Sequence, residues 1–116
     1  MILEFVNLFH SNAPLAAYAA DVTSQGGEDG IIAQIIKLIE PAEPYCVEFG
    51  AWDGKHYSNC NNLINAAGWG GIMIEGNPER FKELTATYAG NARVQALNMK
   101  VGIEGPDRLD AILARC

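Results

Sequence analysis

The fold of this chain is decided around the stretch VEFGAWDG, residues 47–54. Its first half continues an apolar run that predicts a buried strand, and its second half predicts a tight turn bounded by Gly50 and Gly54. The glycine spacing differs from G-x-G-x-x-G, the pattern that packs a pyrophosphate against a helix N-terminus. Glu48 and Asp53 add two carboxylates, which would repel a phosphate and suit a ligand with an amino group and a sulfonium. The turn is therefore interpreted as a loop for a cation-bearing ligand.

Helical and strand-like segments alternate on both sides of this stretch. Asn77-Pro78 is a typical helix start, and Gly68 is a typical helix end. The predicted helices span 28–40, 58–67, 77–90 and 106–115, and the predicted strands span 45–49, 71–75 and 93–97. This alternation predicts an α/β fold, a three-layer Rossmann-like half-domain with a parallel sheet of about three strands in the order 3-2-1 and flanking helices. The first two strands are expected to be buried on both faces.

The composition is that of one acidic domain, residues 1–116, in which residues 1–23 are expected to form an N-terminal arm or helix. The formal net charge of −6 argues against nucleic acid or an anionic membrane as the partner. No stretch reaches the roughly 18 apolar residues of a membrane span. The 3 cysteines have no metal-ligand spacing, so we expect reduced thiols, no metal and a cytoplasmic protein.

Glu75 follows the second predicted strand, one β-α-β unit beyond Glu48. In nucleotide-binding folds, an acid at this place accepts hydrogen bonds from the two hydroxyls of a ribose. Strand, acidic glycine loop, helix, strand and acid together are more specific than either acid alone. The simpler alternative for Glu75 is a negative charge that favours the N-terminus of the following helix.

Four runs of the sequence together resemble S-adenosylmethionine-dependent methyltransferases of the FkbM-like, class I type. They are SQGGEDGIIAQII, CVEFGAWDGKHYSNCNNLI, GWGGIMIEGNPERFKEL and RVQALNMKVG. The resemblance implies S-adenosylmethionine as the cofactor, with a loop around its methionine part and Glu75 on its ribose. The implied loop residues are Glu48, Gly50, Ala51, Asp53 and Gly54; Gly76, Asn77 and Asn98 are implied near the adenine, and Gln25, Glu28 and Asp29 near the mouth of the site.

The resemblance also implies that the chain corresponds to the N-terminal half of that fold, which has seven strands in the order 3-2-1-4-5-7-6. We therefore expect half a cofactor site, no site for a small-molecule or other methyl acceptor, no identifiable catalytic residue, and little activity by the chain alone. Without a fourth strand, the edge of residues 45–49 would be open, so we predict a homo-oligomer that buries it. Pairing of residues 1–10 as an extra strand is the alternative.

Three function classes follow: a cofactor-binding methyltransferase-like domain, a methyltransferase completed by a partner chain, and a non-catalytic oligomeric binding or assembly module that kept the fold. A nicotinamide-dependent oxidoreductase is disfavoured by the glycine spacing.

Plainer interpretations stand beside the ligand roles. Glu48 could pair with Lys55 or Arg80, and Asp53-Gly54 is also an ordinary turn signal. His10 and His56 have no partner at ligand spacing, which favours solvent-facing or structural histidines. Cys46 and Cys60 are predicted to be small apolar residues of the core.

Overall fold

The computed structural model describes residues 14–116, and it confirms the α/β class predicted from the alternation of segments. The helices are α1 (Glu28–Ile39), α2 (Asn61–Ala67), α3 (Pro78–Thr87) and α4 (Leu109–Leu113). The strands are β1 (Tyr45–Phe49), β2 (Gly70–Ile74) and β3 (Val94–Leu97), and short 3-10 helices span Leu15–Tyr18 and Gly105–Asp107. His10, the pairing of residues 1–10 and most of the predicted N-terminal arm lie outside the described residues.

The sheet has three parallel strands, as predicted. β2 lies between β1 and β3, so the order is β1-β2-β3, which is 3-2-1 when read from the other edge. Val47 is level with Ile72, and Ile72 with Gln95. Within residues 14–116, β1 pairs with β2 alone, and its outer edge faces no other strand.

Two apolar clusters place helices on both faces of this sheet. On one face, Met73 of β2 packs with Ile64 of α2 and Leu84 of α3. On the other face, Ile72 and Ile74 pack against Ile112 of α4. The result is three layers, with β2 buried at every position, as expected for a central parallel strand.

The expectation that β1 is buried on both faces is wrong. Tyr45, Val47 and Phe49 are 49%, 37% and 58% exposed. Val47 and Phe49 are level with Ile72 and Ile74, and paired residues of parallel strands point to the same face. Ile112 of α4 covers Ile72 and Ile74 together with residues at and after β3, and β1 is left uncovered beside them.

Local chemistry explains the start of α3 and the end of α2. The Asn77 side chain accepts hydrogen bonds from the main-chain N–H groups of Glu79 and Arg80, which begins α3 as predicted. Gly68 ends α2 in the left-handed conformation, with φ of 71°. The predicted last helix is divided, because Arg108 is extended between the 3-10 turn and α4. None of the helices within residues 14–116 has the length and apolar character needed to cross a bilayer.

Candidate functional site

The loop Gly50–Gly54 leaves the carboxyl end of β1 but is attached to β2. The Ala51 N–H donates to the Ile74 carbonyl over 3.0 Å, and the Trp52 N–H donates to Glu75 Oε2 over 2.7 Å. These bonds hold the loop above the end of the central strand. Because β2 is buried throughout, the loop is attached to the best-packed strand of the sheet.

Glu75 joins three segments of the chain at this end of the sheet. Besides Trp52, its carboxylate accepts the main-chain N–H of Asn77 through Oε1, over 2.7 Å. Its main-chain carbonyl accepts a bond from Asn98 Nδ2 over 2.8 Å, which draws in the segment after β3. Each carboxylate oxygen that takes one main-chain donor retains capacity for a second one. Glu75 is therefore a local organiser that can still accept a bond from a ligand hydroxyl.

A cavity of about 350 Å³ opens beside Glu75, at the carboxyl ends of the strands. It is lined by Phe49, Gly50, Glu75, Gly76, Asn77, Met99, Lys100 and Val101. Four predicted cofactor residues, Gly50, Glu75, Gly76 and Asn77, thus meet at one cavity, while Asn98 supports it through Glu75. Sequence reasoning missed Met99, Lys100 and Val101; their only signal is that they directly follow the third strand.

Gly50 leaves the wall of this cavity open. Its φ is 67°, and a Cβ built there would meet no atom within 4 Å. Gly76 sits more tightly, since a Cβ there would approach the Met99 carbonyl oxygen to 3.3 Å. The backbone at Gly50 is therefore open to close approach by a ligand.

Glu48 is not among the residues that line this cavity. Its carboxylate accepts Ser58 Oγ over 2.6 Å and the main-chain N–H of Asn59 over 2.8 Å. Within residues 14–116 its ionic pairing with Lys55 or Arg80 does not occur, and Arg80 instead pairs with Glu83. Glu48 therefore anchors Ser58 and Asn59, at the end of the β1–α2 loop that leads into α2.

Gly54 and Ala51 are buried in the core. The Gly54 carbonyl accepts bonds from Asn61 Nδ2 (2.6 Å) and from the Tyr88 hydroxyl (3.0 Å). Burial raises the pKa of Tyr88 to about 12, so this hydroxyl is a neutral donor at physiological pH. Ala51 is 3% exposed and belongs to the cluster around Leu84. Gly54 and Ala51 therefore fix the shape of the loop on the side that faces the core.

Asp53 lies on the outer side of the loop, where it pairs with His56. Asp53 Oδ1 accepts the main-chain N–H groups of Lys55 and His56, both over 2.9 Å, and Oδ2 is 2.5 Å from His56 Nδ1. Burial opposes the charged form, but the bond from the His56 ring and the two main-chain bonds outweigh it and lower the pKa of Asp53. The prediction of a solvent-facing His56 is confirmed, since its side chain is 71% exposed. Sequence reasoning missed its pairing with Asp53, for which the spacing of three residues was the available signal.

Asp53 and His56 border a second, outer hollow of about 720 Å³. The Arg80 guanidinium lies 4.9 Å from the centre of the Trp52 ring on its wall. Asp53 lines this outer hollow, whereas Gly50 and Glu75 line the cavity at the carboxyl ends of the strands.

The acids before β1 stabilise their own loop. Asp29 Oδ2 accepts the main-chain N–H groups of Val22, Thr23 and Ser24 over 2.7 to 2.8 Å. Burial opposes ionisation of Asp29, but these bonds outweigh it and lower its pKa. Glu28 accepts the N–H groups of Gln25 and Gly26 in the same manner. A bond from Thr23 Oγ1 to the Ser58 carbonyl, 3.0 Å long, links this segment to the β1–α2 loop.

In the part of the chain that the structure describes, no group of three or more His, Cys, Asp or Glu side chains is arranged to hold a metal ion. Comparisons of the chain with models of known protein families, with curated proteins and with solved structures give no match.

Proposed function

We propose that this chain binds S-adenosylmethionine as the cofactor-binding part of a class I methyltransferase of the FkbM-like type. The observation that carries the proposal is the cavity in which Gly50 and Glu75 meet at the carboxyl ends of the parallel strands. This is where open α/β sheets bind nucleotide-like ligands.

The chemistry of the lining residues fits that cofactor. The Glu75 carboxylate is suited to ribose hydroxyls, and the side chains of Phe49, Met99 and Val101 offer apolar surface to an adenine ring. Gly50 allows the main chain to approach the ligand. When bound, S-adenosylmethionine supplies an electrophilic methyl group on a sulfonium. In this proposal Glu48, Ala51, Asp53 and Gly54 shape the loop, and the residues that contact the cofactor are those of the cavity.

Calorimetric titration with S-adenosylmethionine and its demethylated product tests the proposal. Gly50→Asn is the decisive variant, because Asn tolerates positive φ better than other side chains and would project into the open space of the cavity. We expect binding by the natural chain, and a loss of about tenfold or more in affinity for Gly50→Asn, which corresponds to roughly 1.4 kcal/mol.

Gly90→Asn is the matched control. Gly90 also has a positive φ, 80°, and open space around its Cβ position, but it follows α3 away from the cavity. Its affinity should equal that of the natural chain. No binding by folded protein at millimolar ligand, or equal weakening by both variants, would contradict the proposal.

One observation favours a second candidate, an assembly module in which two copies of the chain associate through β1. Tyr45, Val47 and Phe49 form an exposed apolar row on a strand that has one neighbour within residues 14–116. Native proteins commonly pair or cover such an edge.

Sedimentation velocity at micromolar concentrations tests the assembly. We expect a dimer for the natural chain and a shift to monomer for Val47→Lys, which puts a charge on the edge strand of both copies. Val22→Lys is the control, because Val22 is 68% exposed and lies outside the sheet. A monomeric natural chain at tens of micromolar would rule the assembly out.

A further inference from the structure

Two pairs of side chains connect β1 to the segment that returns towards α2. Cys46 and Glu48 are two residues apart on β1 and therefore point to the same face of the strand. Ser58 and Cys60 lie in the segment that leads into α2. Glu48 is fixed to Ser58 Oγ (2.6 Å) and to the Asn59 N–H (2.8 Å). These bonds hold Ser58 and Asn59, which directly precede Cys60, against β1.

Both cysteines belong to the packing of one apolar cluster. Cys60 is 7% exposed and belongs to the cluster around Met73, and Cys46 is half-buried and packs against it. Both cysteines are free, and Cys46 Sγ also lies 3.5 Å from the Gly70 carbonyl oxygen.

The thiols differ in their readiness to react. Interaction with the Cys60 thiol lowers the pKa of Cys46, whereas the same interaction together with burial raises the pKa of Cys60. Cys46 is also the more exposed of the two. A cysteine with more thiolate character and better access reacts first with an oxidant.

We propose that Cys46 and Cys60 are a redox site, at which a peroxide forms a reversible disulfide that locks the β1–α2 loop. The Cys46 thiolate attacks a peroxide oxygen, the O–O bond breaks, and the products are a sulfenic acid and hydroxide, which takes up the proton released when the Cys46 thiol ionised and becomes water. Cys60 then attacks the Cys46 sulfur as its proton leaves; the S–S bond forms and the sulfenic hydroxyl departs as a second water. Two thiols are oxidised, one hydrogen peroxide is reduced, and a dithiol reductant reverses the bond.

The consequence lies in the segment that the bond would close. Residues 47–59 contain the whole Gly50–Gly54 loop, so the disulfide would add a covalent tie beside the Glu48–Ser58 hydrogen bond. Cross-linking this segment reduces the conformational freedom of its open states. The inference concerns the mobility of the loop and does not depend on which ligand the neighbouring cavity binds.

The first experiment uses Cys116→Ser, because Cys116 is exposed and would otherwise cross-link two chains. Folded protein is treated with hydrogen peroxide, and we expect the intact mass to fall by about 2 Da, with dithiothreitol restoring it. Peptide mapping without reductant should link Cys46 to Cys60. A mass gain of about 16 or 32 Da with no linked peptide, or unchanged thiols, would overturn the proposal.

Limited trypsin digestion provides an independent measure of the loop. Lys55 is exposed within the segment, and its cleavage should slow by about fivefold or more on oxidation and recover with dithiothreitol. Cleavage at Lys100, which is exposed outside the segment, is the internal control and should not change. Cys46→Ala should abolish this slowing of cleavage at Lys55. If Cys46→Ala does not fold, the digestion rates of the Cys116→Ser protein before and after oxidation still test the locking of the loop. Equal rates at Lys55 before and after oxidation would contradict the locking of the loop.

Discussion

The two glycines that bound the turn after β1 lie in opposite surroundings. Gly50 has open space where a Cβ would stand, whereas a Cβ at Gly54 would lie 2.7 Å from both Leu84 Cδ1 and Tyr88 Cε2. Both have positive φ, 67° and 75°. One end of the loop is therefore part of the core, and the other is the wall of a cavity. A glycine spacing in a sequence does not distinguish a glycine needed for packing from one needed for a ligand.

Substitution of both glycines by alanine measures this difference directly. Gly54→Ala combines a left-handed backbone with a clash against Leu84 and Tyr88, and we expect it to lower the free energy of unfolding by about 3 kcal/mol or more. Gly50→Ala has the backbone strain alone and should lose about 1 kcal/mol. Urea unfolding at neutral pH gives both values. Equal losses would show that the surroundings of the two glycines do not differ in energetic terms.

Asn61→Ala tests the buried end through its hydrogen bonds. Asn61 is 5% exposed, and its amide donates to the Gly54 carbonyl and to the Tyr88 hydroxyl. Removal of this donor should lower the free energy of unfolding by about 2 kcal/mol. Asn62→Ala, at the next position of α2, is the control and should lose less than about 1 kcal/mol. Similar losses at both positions would mean that the amide of Asn61 contributes nothing specific.

Glu75→Gln tests the cavity end. The amide keeps one acceptor oxygen but turns an NH2 group towards a main-chain N–H that the carboxylate now binds, at Trp52 or at Asn77. We expect a loss of about 1 to 2 kcal/mol in unfolding free energy. Glu79→Gln in the first turn of α3, where Glu79 is exposed and pairs with Lys82, should lose about 0.5 kcal/mol or less. A loss at Glu75 as small as that at Glu79 would remove Glu75 as the organiser of this end.

The smallest effect is expected for Asp53, on the outer side between the two ends. Because the pKa of Asp53 is lowered on folding, its ionised form contributes stability above the unfolded pKa of about 3.9, and this is lost as the pH falls through the folded value. Asp53→Asn retains an oxygen for the turn bonds to Lys55 and His56 and should lose about 0.5 kcal/mol at pH 7. The difference from the natural chain should shrink in urea unfolding as the pH is lowered below the unfolded pKa of about 3.9. A difference that stays constant with pH would exclude the charge of Asp53 as its origin.

Strong local signals account for the parts of the fold that the sequence predicts well. Asn77 and Pro78 begin α3, Gly68 ends α2, and the isoleucines of α1 recur at helical spacing. Each depends on a few neighbouring residues, so periodicity and capping chemistry suffice. The pattern over residues 106–115 predicts one helix, and the structure divides it because Arg108 is extended.

Features that depend on distant packing could not be read from the chain. The exposure of Val47 and Phe49 depends on where α4 lies across the sheet, which no local pattern encodes. The burial of Gly54 depends on two side chains of α3 and its C-cap, Leu84 and Tyr88. At the site, the meeting of Gly50 with Glu75 follows from the parallel sheet and was predictable. The partner of Glu48 was not, because Ser58 reaches it only after the loop has turned back.

The attachment of the loop to β2 has a consequence for amide hydrogen exchange. The Ala51 and Trp52 amides lie in a loop, yet their acceptors belong to the central strand and to the residue that follows it. Fraying of the outer edge of β1 need not break either bond, so these amides should exchange at the slow rate of β2 and not at the rate of a surface loop. The loop beside the cavity would then keep its structure while the outer edge of β1 opens transiently to solvent.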